Sequence, residues 1–267
     1  MPLKEEKETL FITLYAKAVD YRSRHSILHD HWADEMTRAV DYDFSAIARF
    51  DNTISVVRAK EMDDVVDEFI GLHHDAVVVH LGCGLDARIL RIGPPPTVAW
   101  FDVDYADVID LRKTLFPPRF GYHMIGASVT EDGWLKEIPR DRPALIIAEG
   151  LVEYLSEEKM KGLLQRITEH FNSGRIVFDV MNSFAIKLVK DKLQAVMGVT
   201  PSWAVDDLRR VDRLNPHLKR TGSKSLISSR YIKKLPLQLR LSLGVFSIVP
   251  LFRNMMRLLQ YEFYQTR

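Results

Sequence analysis

Apolar residues recur along this chain with two different spacings. Between Asn52 and Ile70 they fall at Ile54, Val57, Met62, Val65, Val66, Phe69 and Ile70, mostly three to five apart, with Gly71 behind them. That spacing predicts an amphipathic helix ended by a glycine. Leu10, Leu14 and Val19, then Trp32, Met36 and Val40, predict two earlier helices. From residue 76 the pattern changes to short unbroken runs, AVVVHL (76–81), TVAWFD (97–102), ALIIAE (144–149) and RIVFDVM (175–181), separated by helical stretches. Runs of that length predict strands buried on both faces, and their alternation with helices predicts a largely parallel sheet covered on both sides. Ser156 is placed to cap a helix that begins with Glu157 and Glu158, and Gly174 to end it. LLQYEFYQ, near the C-terminus, alternates apolar and polar residues as an edge strand does. Between Trp203 and Lys234, prolines, glycines and serines interrupt every period.

Composition narrows the class. A chain of 267 residues with 46% hydrophobic content can bury one large core, which predicts a single domain. Its 37 basic and 36 acidic residues leave a net charge of +1, so no overall field concentrates nucleic acid or anionic membrane around it. One cysteine, Cys83, forms no intramolecular disulfide, in keeping with a reducing compartment. MPLKEEKETL is charged where a signal peptide is apolar. The apolar run from Leu241 to Phe252 is broken by serines and a proline and falls short of the ~20 residues that span a bilayer. The expectation is a cytoplasmic protein with no membrane span and no nucleic-acid partner.

The chemistry gathers at the ends of the strand runs. Gly82-Cys83-Gly84-Leu85-Asp86-Ala87 follows the first run and satisfies G-x-G-x-x-A, with Asp102 and Asp104 about 20 residues on, which is dinucleotide spacing. Asp86 argues against that ligand, because a pyrophosphate over this turn would meet a like charge. A ligand with adenosine but with positive groups in place of phosphates removes the conflict. S-adenosylmethionine (SAM), with its ammonium and sulfonium, is such a ligand. Gly82 and Gly84 then let backbone approach its methionine part, Asp104 accepts from the ribose hydroxyls, and Glu149 adds a third carboxylate. The glycines also have a plain structural reading as the end of a strand, Arg88 one as the partner of Asp86 or another buried acid, and Tyr154 one as a packed side chain.

"LGCGLDARILRI", "VAWFDVDYADVIDLRK", "GAS…W" and "IIAEGLVEYLSEE", in this order, resemble successive motifs of the leucine carboxyl methyltransferase family, whose members include polyketide O-methyltransferases. The resemblance runs from "YAKAVDYRSRHSILHDHWADEM" to "SWAVDDLRRVDRLNP" and is weakest after Thr221. It implies an α/β fold of the class I SAM-dependent methyltransferase type, Rossmann-like, with a mostly parallel seven-stranded sheet whose last strand is antiparallel, and an added helical cover. The implied division of the single domain 1–267 is an N-terminal cover (1–72), a SAM-binding core (73–182) and substrate-side helices with the terminal strand (183–267). The implied cofactor contacts are Gly82 and Gly84 at the methionine part, Asp104 at the ribose, Glu149 against the ligand, Arg58 at its carboxylate with Lys17 assisting, and Ser128 and Val129 beside the adenine. Tyr154 is implied on the substrate side. Two positions depart from the pattern: Ser128 stands where many members have an aspartate, and Glu153 where an apolar residue precedes the tyrosine.

The reading that results is a SAM-dependent O-methyltransferase acting on a carboxylate or hydroxyl of a small molecule or peptide. A nicotinamide-dependent oxidoreductase and a SAM-binding module without catalysis remain open alternatives, as does the oligomeric state. Methyl transfer is an in-line displacement that needs the nucleophile about 3 to 3.5 Å from the methyl. No residue is assigned as catalytic. With no histidine in the strand-end motifs to act as a base, a carboxylate acceptor is favoured over a phenol. His25, His29 and His31, with Asp30 and Asp34, pose a metal question, but capping or surface roles are favoured and no metal is expected. His80 is expected to donate to a backbone carbonyl and Cys83 to be inert; the basic helical stretch near the C-terminus, with Lys233, Lys234, Arg240, Arg253 and Arg257, is open to contact with a membrane or acyl carrier, with packing as an ordinary amphipathic helix favoured.

Overall fold

The four apolar runs are neighbouring strands of one sheet. In this computed structural model, which describes residues 9–48, 53–198 and 200–264, they are β1 (Val77–Leu81), β2 (Ala99–Asp104), β4 (Ala144–Ala148) and β5 (Ser173–Met181). The runs supplied no sign of β3 (Tyr122–Gly126) or β6 (Leu218–Ser225), whose positions are mostly half-exposed or exposed and carry little apolar signal. β7 (Met256–Tyr264) completes a seven-stranded sheet in the order β3-β2-β1-β4-β5-β7-β6. β1 to β5 are parallel, and β7 is antiparallel to both β5 and β6. The terminal strand is therefore interior, not an edge as its alternation suggested; Gln265 of that prediction lies outside the described residues.

Alternate residues of β1 face opposite layers, Val77 and Val79 toward one core and Val78 toward the other. On Val78's side pack the N-terminal helices α1 (Thr9–Arg22), α2 (His31–Ala39) and α3 (Thr53–Leu72), with α4 (Arg88–Ile92) and α5 (Ala106–Leu115). α3 runs through Gly71 to Leu72, and Asn52, where its pattern began, is outside the described residues. α6 (Glu157–His170) and α8 (Leu208–Asp212) cover the other face. Ser156 caps α6, accepting from Lys159 N at 3.2 Å. Gly174, however, does not end that helix: it lies inside β5, where a Cβ would come within 2.3 Å of the Ala144 carbonyl. α7 (Ser183–Met197) lines the cavity at the carboxyl ends of the strands, α10 (Pro250–Arg253) contacts α7 and the end of β5, and α9 (Leu237–Ile248) packs on α10 and beside Tyr231 and Ile232. The order of the parallel strands changes direction between β1 and β4, and a crevice outside the strand ends at that switch point is where open α/β sheets bind ligands.

Candidate active site

A cavity of about 880 Å³ lies over the carboxyl ends of β1, β2 and β4. Lys17, Arg58, Gly82, Gly84, Asp104, Ser128, Val129, Glu149 and Tyr154, drawn from across 138 positions of sequence, all line it. Gly82 (φ +61°) and Gly84 (φ +49°) form the turn after β1, in the left-handed region that favours glycine. What approaches them includes protein: a Cβ would meet Leu151 at 3.1 Å from Gly82 and Leu10 at 3.2 Å from Gly84. Asp104, ending β2, accepts from Gly84 N at 2.8 Å through one oxygen and from Tyr105 N at 2.7 Å through the other.

Beneath the cavity is a buried ionic network. Glu149 meets the Arg88 guanidinium at 2.5 Å, Arg58 Nε at 3.3 Å and Lys17 Nζ at 3.9 Å. Burial pushes its carboxyl up, but Lys17, Arg58 and Arg88 together bring it down to about 2. Arg58 also donates to Asp179 at 2.9 Å, whose other oxygen accepts from Gly150 N at 2.8 Å. Arg88 pairs with Asp63 at 2.7 Å as well as with Asp86 and Glu149, the buried-acid role expected of it. Asp86 is surrounded by Lys17, Arg88 and Arg91. Burial raises its carboxyl and those cations lower it well below the ordinary range. This corrects the electrostatic argument made from sequence: Asp86 is neutralised within the protein and presents no bare charge to a phosphate.

The network joins four cations, Lys17, Arg58, Arg88 and Arg91, to five acids, Asp30, Asp63, Asp86, Glu149 and Asp179. Its excess of one acid suits SAM, whose carboxylate, ammonium and sulfonium sum to one positive charge, and the rim carboxylate of Asp104 suits its ribose hydroxyls.

Glu153 lies at the edge of this network, in a short 3-10 turn (Val152–Tyr154), and lines the cavity. It is buried, and its Oε2 has no hydrogen-bond partner among the described residues. Burial and the nearby Asp179 push its carboxyl up to about 7. Tyr154 is half-buried at the cavity wall, and burial with Glu153 raises its phenol. Ser128 Oγ shares a 2.9 Å hydrogen bond with Thr130 Oγ1.

Three other sequence expectations meet the structure here. His80 Nδ1 has no hydrogen-bond partner among the described residues in place of the expected carbonyl and lies 3.7 Å from Asp102 Oδ1; its Nε2 is 3.4 Å from Arg88. Burial, then Arg88, lower its imidazole to about 4, so it is neutral at pH 7. Cys83 is buried, and burial raises its thiol well above the ordinary value, the reverse of an activated thiolate. Asp30 caps α2 by accepting from Ala33 N, and Asp34 pairs with Arg22 and Arg38. Asp63, Arg91 and Asp179 escaped sequence reasoning. The one legible signal was the acid inside RIVFDVM, an apolar run where a charge needs a partner.

A Rossmann-like sheet with its cavity at the switch point, glycines after β1, an acid ending β2 and a cation-seeking network define a SAM-dependent methyltransferase of class I. A profile described as leucine carboxyl methyltransferase matches residues 11–168, and the chain belongs to that family. It is 41% identical over 260 residues, 96% of each chain, to the tetracenomycin polyketide synthesis O-methyltransferase TcmP of Streptomyces glaucescens. It is 33% identical, over 80% of each chain, to the S-adenosyl-L-methionine-dependent methyltransferase dpfgK of Gibberella zeae. Among solved structures, the plantazolicin methyltransferase BpumL in complex with a triazolic desmethylPZN analog and SAH has the same fold, with a TM-score of 0.54 at 10% identity over 98% of this chain and 100% of the other. The protein is a SAM-dependent O-methyltransferase.

Proposed function

We propose that this enzyme methylates a carboxylate of a small, largely apolar acceptor of the polyketide or peptide-derived kind. The observation that carries this is the composition of the cavity wall. Opposite the ionic network it is lined by Leu188, Val189, Leu193, Met181 and Met256, and its volume of about 880 Å³ is near the upper end of ordinary ligand pockets, room for a cofactor and a second molecule.

Bound SAM supplies an electrophilic methyl on a sulfonium. In this reading Arg58, assisted by Lys17, holds the amino-acid carboxylate, Gly82 and Gly84 give backbone access, and Asp104 takes the ribose. Glu149 faces the positive end of the ligand, Ser128 and Val129 flank the adenine, and Tyr154 borders the acceptor. A bidentate guanidinium suits a carboxylate. An acceptor carboxylate arrives deprotonated at neutral pH and needs no base. The absence of a base near neutral pKa, inferred from the strand-end motifs, does not hold, since Glu153 is one. In its neutral form Glu153 does not repel an acceptor carboxylate and can donate a hydrogen bond to it.

The test uses methyl-labelled SAM with a panel of polycyclic aromatic carboxylic acids and the matching phenols. A carboxylate acceptor gives a product ester that mild alkali hydrolyses, and transfer that does not climb between about pH 7.5 and 9, because its pKa lies near ~4. A base-stable ether, formed with a rate that rises with the ionisation of Glu153 or of the phenol, overturns the carboxylate reading in favour of a hydroxyl acceptor.

A further inference from the structure

The C-terminal part of the chain departs from the charge balance of the whole. Residues 213–261 contain ten lysines and arginines and no aspartate or glutamate. Three of the ten, Arg220, Lys224 and Arg230, are in ion pairs; the other seven, among them Lys233, Lys234, Arg240, Arg253 and Arg257 around α9 and α10, take part in none among the described residues. Arg257 is itself pulled down by burial and by the like charges of Arg220 and Arg253.

Within this basic stretch, α9 is rich in apolar residues on all sides, yet none of its residues is buried. Helices of that kind are ordinarily enclosed by the core. Leu239 and Leu243 turn partly inward, and Leu243 packs beside Tyr231 and Ile232. The opposite stripe, Leu237, Leu241, Val245 and Ile248 at i, i+4, i+8 and i+11, is 59, 60, 65 and 76% exposed. Val249 and Leu251 extend it toward α10, which touches α7 through Phe252 and Phe184. The favoured expectation of an ordinary packed helix is thus corrected: the stripe on one side of its apolar surface packs against none of the described residues.

From this juxtaposition of an uncovered aliphatic stripe and an unpaired basic border we propose that α9 and α10 dock on an anionic lipid bilayer surface, with the helix axis in the interface plane. Interfacial helices have this construction, with an apolar face entering the acyl boundary while lysines and arginines reach the headgroups. A second copy of the chain is disfavoured because it would oppose two like-charged borders. A protein partner is disfavoured by residue type, since the stripe is leucine, valine and isoleucine, whereas protein hot spots favour tryptophan, tyrosine and arginine. Each basic residue near an anionic leaflet strengthens binding several-fold, and salt weakens the effect. α10 touches α7, whose Leu188 lines the cavity with Met255 and Met256 just after α10, so docking through α10 would bring that side of the cavity toward the bilayer.

The experiment is co-sedimentation of the full chain with vesicles of phosphatidylcholine alone and of phosphatidylcholine with an equal part of phosphatidylglycerol. Expected is at least tenfold tighter binding to the anionic vesicles, reduced by high salt. Leu241→Glu with Ile248→Glu should lower that binding at least tenfold while leaving the melting temperature and SAH affinity as in the parent. Lys233→Glu with Lys234→Glu should lower it while sparing any residual binding to neutral vesicles. Absence of preference for anionic vesicles overturns the proposal. So does binding that the Leu241→Glu, Ile248→Glu chain retains, or a dimer in sedimentation velocity that this chain loses, which would make the stripe a self-interface.

Discussion

Arg58 is the residue on which fold and site meet. Its guanidinium bridges Glu149 and Asp179, both buried; removal to alanine leaves Glu149 with Arg88 and Lys17 but takes from Asp179 its cation among the described residues, a loss of about 3–5 kcal/mol. Arg58→Lys keeps the charge and loses the planar fork, and is the better probe of ligand contact. If Arg58 holds the amino-acid carboxylate, Arg58→Lys weakens SAH by roughly tenfold or more, about 1.4 kcal/mol. 5′-Methylthioadenosine, which lacks that carboxylate, should change little. Equal losses for the two ligands in calorimetry would make Arg58 a support of the fold alone. Glu153 makes a prediction of opposite sign. Its carboxyl is pushed up to about 7 in the folded chain, above the ordinary value for glutamate of ~4.3. Between those values the folded state therefore binds more protons than the unfolded one, and this group's contribution to stability falls as pH rises from about 4.5 to 7. Glu153→Gln removes that dependence. Its melting temperature should exceed the parent's at pH 8, with the gain shrinking or vanishing at pH 5; a gain independent of pH would mean that folding does not raise the Glu153 carboxyl above its ordinary value.

At the scale of elements, the sheet depends on close approaches that only small residues allow. Gly174 pairs with Ala144 and Phe263 near the start of β5, between β4 and β7, and a Cβ there meets the Ala144 carbonyl at 2.3 Å and the Phe263 ring at 2.9 Å. The backbone atom cannot move aside cheaply. Gly174→Ala is expected to cost about 1–3 kcal/mol, as overpacking does. Gly71→Ala, in α3 with nothing within 4 Å of its Cβ, should instead stabilise by about 0.5–1 kcal/mol. Urea midpoints of the two variants check the pair, and a Gly174→Ala midpoint at or above the parent's would contradict the geometry. Sequence period found β1, β2, β4 and β5 because strands buried on both faces are continuously apolar. It missed β3 and β6 because exposed strands near the sheet margins carry no such run, and it misplaced β7 because alternation reports one wetter face, not position in the sheet.

For the whole molecule, a net charge of +1 conceals two separations of charge. One is internal: buried acids and bases from α1, α2, α3, α4, β4 and β5 neutralise one another under the cavity with one acid in excess. The other is external, between the basic stretch 213–261 and an acid-rich remainder. Averaging over the chain erased both, so composition excluded an anionic surface that the placement of Lys233, Lys234, Arg240 and Arg253 beside α9 brings back as a testable partner.

The strand runs, the glycine turn and the acids at strand ends were determined by sequence alone, because strand burial and backbone turns are local demands written in residue type. The family motifs located Lys17, Arg58, Glu149 and Tyr154 as candidates in the same way. Tertiary structure decided which charges face which. Only the folded chain sets Asp179 against Arg58 across 121 positions, encloses Asp86 with three cations, leaves Glu153 Oε2 without a partner among the described residues and leaves the outer stripe of α9 exposed. Ionisation and exposure depend on neighbours far apart in the chain, and no local pattern records them.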